Sequence, residues 1–553
     1  MEIRLRKEIG RPFESISVSE GLTIEELAMS YKGELKYEVL AGKVNNEIVE
    51  LTTPLTDGAT VEFMDMRYQA ANLIYQNSLS FLFIKAATDV IDGAFVEIQN
   101  SINKGLYIEV KGKETINEAK IKEVGLRMRQ LIKMDLPFIK TKVPRKEAAA
   151  LMKEGMFFEK LKLINQRINL RELKFYEVEG YKNFFYSVMV PSTRYCDIFE
   201  VRKYRRGVLL RFPHPSNPNV IPEYEDERNL YSAFSEATKW KRVLNINYVS
   251  DLNEQILRGE DRELMQLSEA LHDKKIVEIA GEITEKGKRI ILIAGPSSSG
   301  KTTFARRLCI QLKVNGLKPI YLGTDDYFIN RDDMEVDENG EKNYEDLEAV
   351  DVRLFNEHMN SLLEGAEVSL PVFDFIKGVK TFGAKKTKIT PSQPIVIEGI
   401  HALNGKLTEG IADSEKYKIY ISPLTQLNID RHNRIPTTDA RMLRRMVRDH
   451  NHRGHSAKDT IRDWPKVRAG EDKNIFPYSG EADVLFNSVH IYELSVLKKY
   501  AQPLLMNIEP DSEEYAEARR MLNFLKYFQV IENDEIVPNN SILREFIGGS
   551  VFG

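Results

Sequence analysis

The feature that most restricts the fold of this chain is an apolar run that passes directly into a glycine-bounded loop. Residues 289–294 read RIILIA, as expected for a strand buried on both faces of a parallel sheet. The loop GPSSSGKT follows at 295–302, and a helical pattern begins near Phe304. A strand, a loop of this type and a helix, in this order, predict a doubly wound α/β domain with a nucleoside triphosphate site. The alternative is a chance Gly-Lys-Thr in a surface turn, against which the flanking strand and helix argue.

Each residue type in this loop has a chemical reason. Glycines let backbone N–H groups curl around phosphates, and the helix N-terminus adds its positive dipole. We predict that Lys301 reaches the β- and γ-phosphates of ATP and that the hydroxyl of Thr302 binds Mg²⁺. The remaining residues predicted to bind the nucleotide line the same loop: Gly295, Ser297, Ser298, Ser299, Gly300 and Thr303.

Two further strand-like runs end in carboxylates. Asp325 follows KPIYLGT at 318–324, and Glu398 ends PIVIE at 394–398. The carboxyl ends of strands in a doubly wound sheet are where ligands bind. We predict that Asp325 is a catalytic base, which accepts the proton of an acceptor hydroxyl, and that Glu398 contacts Mg²⁺. A turn-forming Asp pair and an acid at a sheet edge without a role are the alternatives.

An arginine-rich helix is predicted around residues 439–449, which read DARMLRRMVRD. Spacings of i, i+3, i+4 and i+7 place its arginines on one face. Guanidinium groups donate in pairs to phosphate oxygens and neutralise charge on a transferred group. This pattern predicts a phosphate-binding lid, with a solvated basic face as the alternative. We expect Arg441 and Arg445 to act in catalysis, and Arg444 and Arg448 to bind the nucleotide.

Taken together, these motifs resemble the uridine kinase and phosphoribulokinase group of P-loop kinases over residues 289–490. The similarity includes TDDYF at 324–328, NYE at 343–345, PVFDF at 371–375 and ADV at 482–484. It implies ATP and Mg²⁺ as cofactors and a small-molecule acceptor. The residues that it implies for the acceptor side are Asp325, Tyr327, Glu345, Phe373 and Asp374.

Several positions depart from the uridine kinase pattern. That family usually has Asp where Glu345 stands, Tyr where Phe373 stands, His near Gly378 and often Tyr where Phe328 stands. These positions contact sugar and base in the family. Phosphoryl transfer to a nucleoside is therefore predicted with the acceptor left open among uridine, cytidine and other nucleosides. A phosphoribulokinase-like kinase of sugar phosphates is an alternative.

The N-terminal part of the chain carries a different resemblance. Residues 1–66 alternate like strands around one short helix and resemble the TGS domain, a β-grasp module. Residues 67–225 resemble the second domain of threonyl-tRNA synthetases, whose editing site contains an HxxxH pair. The matching stretch is YQAAN at 68–72, and no histidine precedes His214, so an editing metal site is excluded. A P-loop ATPase or switch whose N-terminal half binds RNA or regulates is therefore a second hypothesis.

The chain as a whole is predicted to be a multidomain α/β protein. After the TGS-like β-grasp and an α+β synthetase-like domain we expect a helical linker at 226–288, a kinase domain at 289–490 and a helical extension at 491–553. The charges nearly balance, 79 basic against 83 acidic side chains, which gives no global nucleic-acid signature. Two cysteines and short apolar runs predict a reducing, cytoplasmic location without membrane contact. We also predict a homo-oligomer, although no residue pattern indicates one.

Overall fold

The structure is a computed structural model that describes residues 1–167, 171–334, 345–383, 386–425 and 427–552. Within these ranges, no helix combines the length and the apolar character needed to cross a membrane. NYE at 343–345 falls partly outside them, so only Glu345 of that motif is described.

The first unit is a five-stranded sheet that covers one helix. The strand order is β2-β1-β5-β3-β4, and the central pair β1 and β5 is parallel. Thr23 caps the helix by accepting the N–H of Glu26, whose carboxylate accepts the N–H of Thr23 in return. The elements are β1 (Glu2–Arg6), β2 (Glu14–Ser17), α1 (Ile24–Ser30), β3 (Ala41–Val44), β4 (Glu47–Val49) and β5 (Thr60–Met64).

The second unit packs helices against two antiparallel sheets, with strand orders β10-β9-β8 and β11-β12-β7-β6. Its longest helix is buried over most of its length and joins the core of the first unit. The elements are α2 (Gln69–Val90), β6 (Phe95–Ile102), β7 (Gly105–Lys111), α3 (Glu118–Lys133), β8 (Ile139–Pro144), α4 (Arg145–Glu154), α5 (Phe158–Asn165), β9 (Glu172–Val178), β10 (Tyr181–Phe184), β11 (Glu200–Tyr204) and β12 (Gly207–Arg211).

Three helices lead to the next sheet: α6 (Arg228–Val243), α7 (Val249–Leu257) and α8 (Asp261–Glu285). The sheet is fully parallel, in the order β14-β17-β13-β18-β19. Its first strand, β13, is central and fully buried, as the apolar run predicted. Because β14 and β17 lie on one side of β13 and β18 and β19 on the other, the strand order reverses at β13. Such a reversal opens a crevice at the carboxyl ends of the strands.

The elements of this part are β13 (Ile290–Ala294), α9 (Lys301–Val314), β14 (Ile320–Gly323), α10 (Val352–Leu363), β15 (Pro371–Asp374), β16 (Val379–Phe382), β17 (Ile395–Glu398), β18 (Lys416–Ser422), α11 (Thr437–Arg453), α12 (Ala457–Asn474), β19 (Val484–Asn487), α13 (Glu493–Met506), α14 (Tyr515–Leu525) and α15 (Arg544–Ile547). One apolar core joins α7, α8, α9, α11, α13 and α14 on one face of the sheet, and a second lies on the α10 face. The predicted fold class, multidomain α/β with a β-rich N-terminal unit and a parallel sheet, is confirmed.

Candidate active site

The loop between β13 and α9 has a backbone that few other sequences could adopt. Ser298 and Gly300 have positive φ values of 60° and 83°, in the left-handed region. A Cβ at Gly295 would lie 2.1 Å from the carbonyl oxygen of Ile421 in β18. Glycine is therefore required at 295 for close packing and is favoured at 300 for conformation.

Two serine hydroxyls of this loop have no hydrogen-bond partner among the described residues, and its lysine has a carbonyl contact. The hydroxyls of Ser298 and Ser299 are buried and have no hydrogen-bond partner within the described part of the chain. Lys301 Nζ donates to the carbonyl oxygen of Pro296 at 3.3 Å. Unpaired buried donors are costly, and an anion with several oxygens would satisfy them. The loop therefore fits a phosphate group.

Glu398 ends β17 next to the first turn of α9. Its Oε2 accepts hydrogen bonds from Thr302 Oγ1 at 3.3 Å and from Tyr321 Oη at 3.0 Å. Burial raises the pKa of the Glu398 carboxyl, although the charge of Lys301 acts in the opposite direction. A carboxylate beside a threonine hydroxyl forms the oxygen set that Mg²⁺ prefers, with the other positions left to water and phosphate. Glu398 and Thr302 thus fit the predicted magnesium site.

Asp325 lies in the short turn after β14, at the same edge of the sheet. Its side chain reaches solvent, yet protein atoms enclose it as in a cleft, and this desolvation raises its pKa. Asp326 raises the pKa of Asp325 further, and Lys301 lowers it. Lys301 also lowers the pKa of Glu345, which burial raises overall. The charge of Lys301 therefore acts on the carboxyl groups of Asp325, Glu398 and Glu345.

Two of the four predicted lid arginines are buried and form ion pairs within the protein. Arg441 is ion-paired with Glu471 of α12, and its Nε donates to the carbonyl oxygen of Ser297 at 3.1 Å. Arg444 forms a fork with Glu493, both contacts at 2.5 Å, and donates to the carbonyl oxygen of Ser298 at 3.3 Å.

The catalytic role of Arg441 and the nucleotide-binding role of Arg444 stay predictions; in the structure, burial directs each guanidinium to a glutamate. Sequence reasoning missed both glutamates, since no motif links them to the arginines.

The other two arginines are partly exposed. Arg445 donates to the hydroxyl of Ser297 at 2.9 Å and lies 3.2 Å from Asp449. Arg448 also pairs with Asp449, at 2.8 Å. Arg445 lowers the pKa of Glu345, which places its charge near both the loop and the acceptor side. A predicted lid role is therefore retained for Arg445 and Arg448.

Carboxylates also occupy N–H donors of the loop and of α9. Glu471 Oε1 accepts the N–H of Ser297 at 3.0 Å. Glu545 of α15 accepts the N–H of Thr303 at 3.2 Å and its hydroxyl at 2.7 Å. Thr303, predicted to bind nucleotide, thus donates to Glu545 here, and a phosphate that used these donors would compete with it. No sequence signal pointed to Glu545, which lies far outside the motifs.

Two residues predicted on the acceptor side have hydrogen-bond partners within the protein. Tyr327 is buried, and its hydroxyl meets His358 Nδ1 of α10 at 3.2 Å, so it belongs to the core. Asp374 Oδ1 accepts the N–H groups of Ile376 and Lys377, both at 3.0 Å, and shapes the β15–β16 turn. Tyr327 packs inward after β14 and Asp374 satisfies turn N–H groups, and contact of either residue with an acceptor stays a prediction.

Phe373 and Glu345, also predicted on the acceptor side, each pack against another part of the protein. Phe373 packs edge-to-face on Phe328, with ring centroids 5.7 Å apart. Near them, a Cβ at Gly378 would lie 2.7 Å from the side chain of Arg331. A Cβ at Gly470 of α12 would lie 3.2 Å from Glu345 Cβ, so α12 covers Glu345. Phe373 thus belongs to an aromatic pair, and Glu345 lies against the side of α12.

Comparison with known proteins gives two family matches. The model of the phosphoribulokinase / uridine kinase family matches residues 290–495, and that of the TGS domain matches residues 10–65. A uridine kinase of Staphylococcus aureus is 31% identical over 201 residues, which are 36% of this chain and 87% of that protein.

Similarity also extends to a threonine–tRNA ligase and to a solved structure. The ligase, from Desulforamulus reducens, is 27% identical over 173 residues, 31% of this chain. The chain spans only 27% of the length of that ligase. A solved structure described as a possible uridine kinase from Bacillus stearothermophilus is 19% identical with a TM-score of 0.24, over 36% of this chain and 88% of that one.

Proposed function

The chain belongs to the phosphoribulokinase / uridine kinase family through residues 290–495, and on this premise we propose that it transfers the γ-phosphate of ATP to a hydroxyl of a nucleoside. The observation that carries the proposal is the placement of Asp325 just after β14 and of Glu398 at the end of the neighbouring strand β17, next to the loop that bears Lys301. The charge of Lys301 lowers the pKa of both carboxyl groups and of Glu345, against the raising effect of burial. An ATPase that only hydrolyses or switches would not need a carboxylate to accept the proton of an acceptor hydroxyl in addition to the carboxylate that contacts Mg²⁺.

The proposed reaction divides the work among these side chains. Asp325 accepts the proton of the acceptor hydroxyl as that oxygen bonds to the γ-phosphorus and the bond to the β–γ bridging oxygen breaks. Its raised pKa brings this base nearer to neutral pH, where proton transfer is efficient. Lys301 and Arg445 neutralise charge on the transferred group. Mg²⁺ held by Glu398 and Thr302 would supply charge stabilisation and orientation at the phosphates.

The test is an ATP-consumption screen over nucleosides, free sugars and sugar phosphates. An acceptor should stimulate turnover by the wild type, and Asp325→Asn should lower that turnover by about 10²–10⁴-fold with retained ATP binding. Asp333→Asn is the matched control, because Asp333 is exposed in the next short turn, where its Oδ2 accepts a hydrogen bond from Asn330 Nδ2 at 3.0 Å. If no acceptor stimulates turnover, or Asp325→Asn keeps full activity, the proposal fails.

A sugar phosphate is the second candidate acceptor. Arg331 crosses the space beside Gly378, where the uridine kinase pattern has a histidine that contacts sugar or base. A guanidinium at this position suits an anionic acceptor better than a neutral one. In the same screen, Arg331→Ala should then raise the KM for a sugar phosphate and leave that for a nucleoside unchanged.

Binding of RNA by the N-terminal half is the alternative from another class. The TGS domain at 10–65 and the similarity to a threonine–tRNA ligase support it. Tight RNA binding that weakens steeply with salt, together with no acceptor-stimulated turnover, would favour this function over the kinase.

A further inference from the structure

The segment that leads into α11 is buried inside the rest of the protein. We call residues 427–436 the connector; they read LNIDRHNRIP and join the β18 side of the sheet to α11. Eight of these ten residues are buried, and Asp430 is fully so. Charged side chains in such a place require dedicated partners.

Hydrogen bonds attach the connector to β6 of the second unit and to α7. The N–H of Ile98 in β6 donates to the carbonyl oxygen of Arg431 at 2.8 Å. Asn428 Nδ2 donates to the carbonyl oxygen of Ile98, also at 2.8 Å. The N–H of Val249 in α7 donates to the carbonyl oxygen of Asn428 at 3.0 Å. The connector therefore continues the hydrogen bonding of β6, although it belongs to the kinase part of the chain.

A bidentate ion pair also attaches the connector to α5. Arg431 Nε and one terminal nitrogen each lie 2.8 Å from an oxygen of Glu159 in α5. The same terminal nitrogen donates to the carbonyl oxygen of Met156 at 2.9 Å. This bidentate pair, which we call the fork, restricts the relative orientation of Arg431 and Glu159. It therefore holds the connector more tightly than a single contact would.

The connector lies in a site formed by α5, β6 and β10, which we call the socket. A fully buried lysine of α5 forms its base. Lys160 Nζ donates to Asn183 Oδ1 at 2.8 Å and lies 3.3 Å from His432 Nδ1 and 3.6 Å from Asp430 Oδ1. Asn183 Nδ2 also approaches His432 Nδ1, at 3.0 Å. Two donors at one ring nitrogen require a lone pair there, so His432 is neutral. Burial and the charge of Lys160 lower its pKa accordingly.

The first turn of α11 is held in the same way. Asp439, which is buried, accepts a hydrogen bond from Gln69 Nε2 at the start of α2 at 3.0 Å. Arg520 of α14 grips the same carboxylate through two contacts of 2.7 Å. The N-terminal half therefore contacts both the connector and the helix that follows it.

Five and eight residues after Pro436, Arg441 and Arg444 of α11 donate to carbonyl oxygens of the phosphate-binding loop. We propose that the N-terminal half sets the position of α11 through the connector, which makes Glu159 and Arg431 positioning residues for phosphoryl transfer. This inference rests on the proposed kinase function. A shift of about 1 Å in such a support can cost about a hundredfold in rate.

The test removes the fork without leaving a charge unpaired. Glu159→Gln combined with Arg431→Gln neutralises both partners, and Glu159→Arg combined with Arg431→Glu reverses the pair. Lys162→Ala is the matched control on the same helix, since Lys162 pairs with Asp251 and Glu254 of α7. Each variant is compared with the wild type as the full chain.

Two measurements decide the outcome. In the neutralised variant we expect faster hydrogen exchange over residues 437–453 and a fall in kcat of about ten- to a hundredfold, with a smaller change in the KM for ATP. The reversed pair should recover at least part of both, and Lys162→Ala should change neither. Unchanged exchange over 437–453 in the neutralised variant overturns the proposal, as does an equal effect of Lys162→Ala.

The two hypotheses fail separately. If the wild type turns over no acceptor, the kinase function is lost, and hydrogen exchange with and without Mg·ATP still decides whether the fork positions α11. If turnover is normal and exchange over 437–453 does not respond to the neutralised fork, only the positioning role is lost.

Discussion

Four arginines follow one another along α11 at helical spacing, yet the structure divides them into two pairs. Arg441 and Arg444 expose 2% and 0% of their side chains and are committed to Glu471 and Glu493. Arg445 and Arg448 expose 18% and 13% and share Asp449 of their own helix. One pair therefore builds the phosphate-binding loop from behind, whereas the other retains charge at the cleft. Identical residues along one helix can thus have two different roles, because each side chain has different partners.

The largest effect should follow from removing the deepest arginine. Arg444→Ala leaves Glu493 buried without its partner, which should lower the free energy of unfolding by about 3–5 kcal/mol. Urea unfolding measures this loss. Arg448→Ala is the control and should cost less than about 1 kcal/mol, because Arg445 and Arg453 still face Asp449. Equal losses in the two variants would erase the distinction between the pairs.

The next effect concerns rate and not stability. Arg445→Ala should lower kcat by about 10²–10³-fold, equivalent to about 2.7–4 kcal/mol of transition-state stabilisation, with little change in unfolding. Arg445→Lys keeps the charge without the planar fork and should recover part of the rate. Steady-state kinetics beside thermal unfolding separates the two readouts. A stability loss as large as that of Arg444→Ala would place Arg445 with the structural pair.

The smallest effect is a change in pH dependence. Burial and Glu471 raise the pKa of Glu345, and Arg445 lowers it, so Arg445→Ala should raise that pKa further. Because Glu345 must then lose its proton at higher pH, the acidic limb of kcat/KM for the acceptor should move to higher pH. Arg448→Ala should leave the limb in place. A shift toward lower pH would contradict the placement of Arg445 beside Glu345.

Much of the site could be predicted because its residues are local to motifs. The loop at 295–302 and the carboxylates that end β14 and β17 depend on a strand and its next few residues, which sequence patterns report directly. The partners of the arginines could not be predicted, since Glu471 and Glu493 lie 30 and 49 residues from them. Helical spacing defines a face but not the surface that it meets.

The contacts that the predicted acceptor residues make within the protein could not be predicted for a similar reason. Tyr327 and Asp374 were assigned by their place in motifs, whereas a buried ring and a turn fix them in the structure. The division of the N-terminal fold into strands and helices could be predicted from alternation and turn residues. The connector could not, because LNIDRHNRIP reads as a polar loop until its socket in α5, β6 and β10 is known.

The socket also orders events during synthesis of the chain. Lys160 and His432 are separated by 272 residues. At translation rates of about 5–20 residues per second, the socket waits on the order of 10–50 s for the segment that fills it. During that interval Lys160 lacks His432 and Asp430, whose side-chain atoms lie 3.3 Å and 3.6 Å from its Nζ in the complete fold. The N-terminal half is thus synthesised first, and the connector of the kinase part binds to it later.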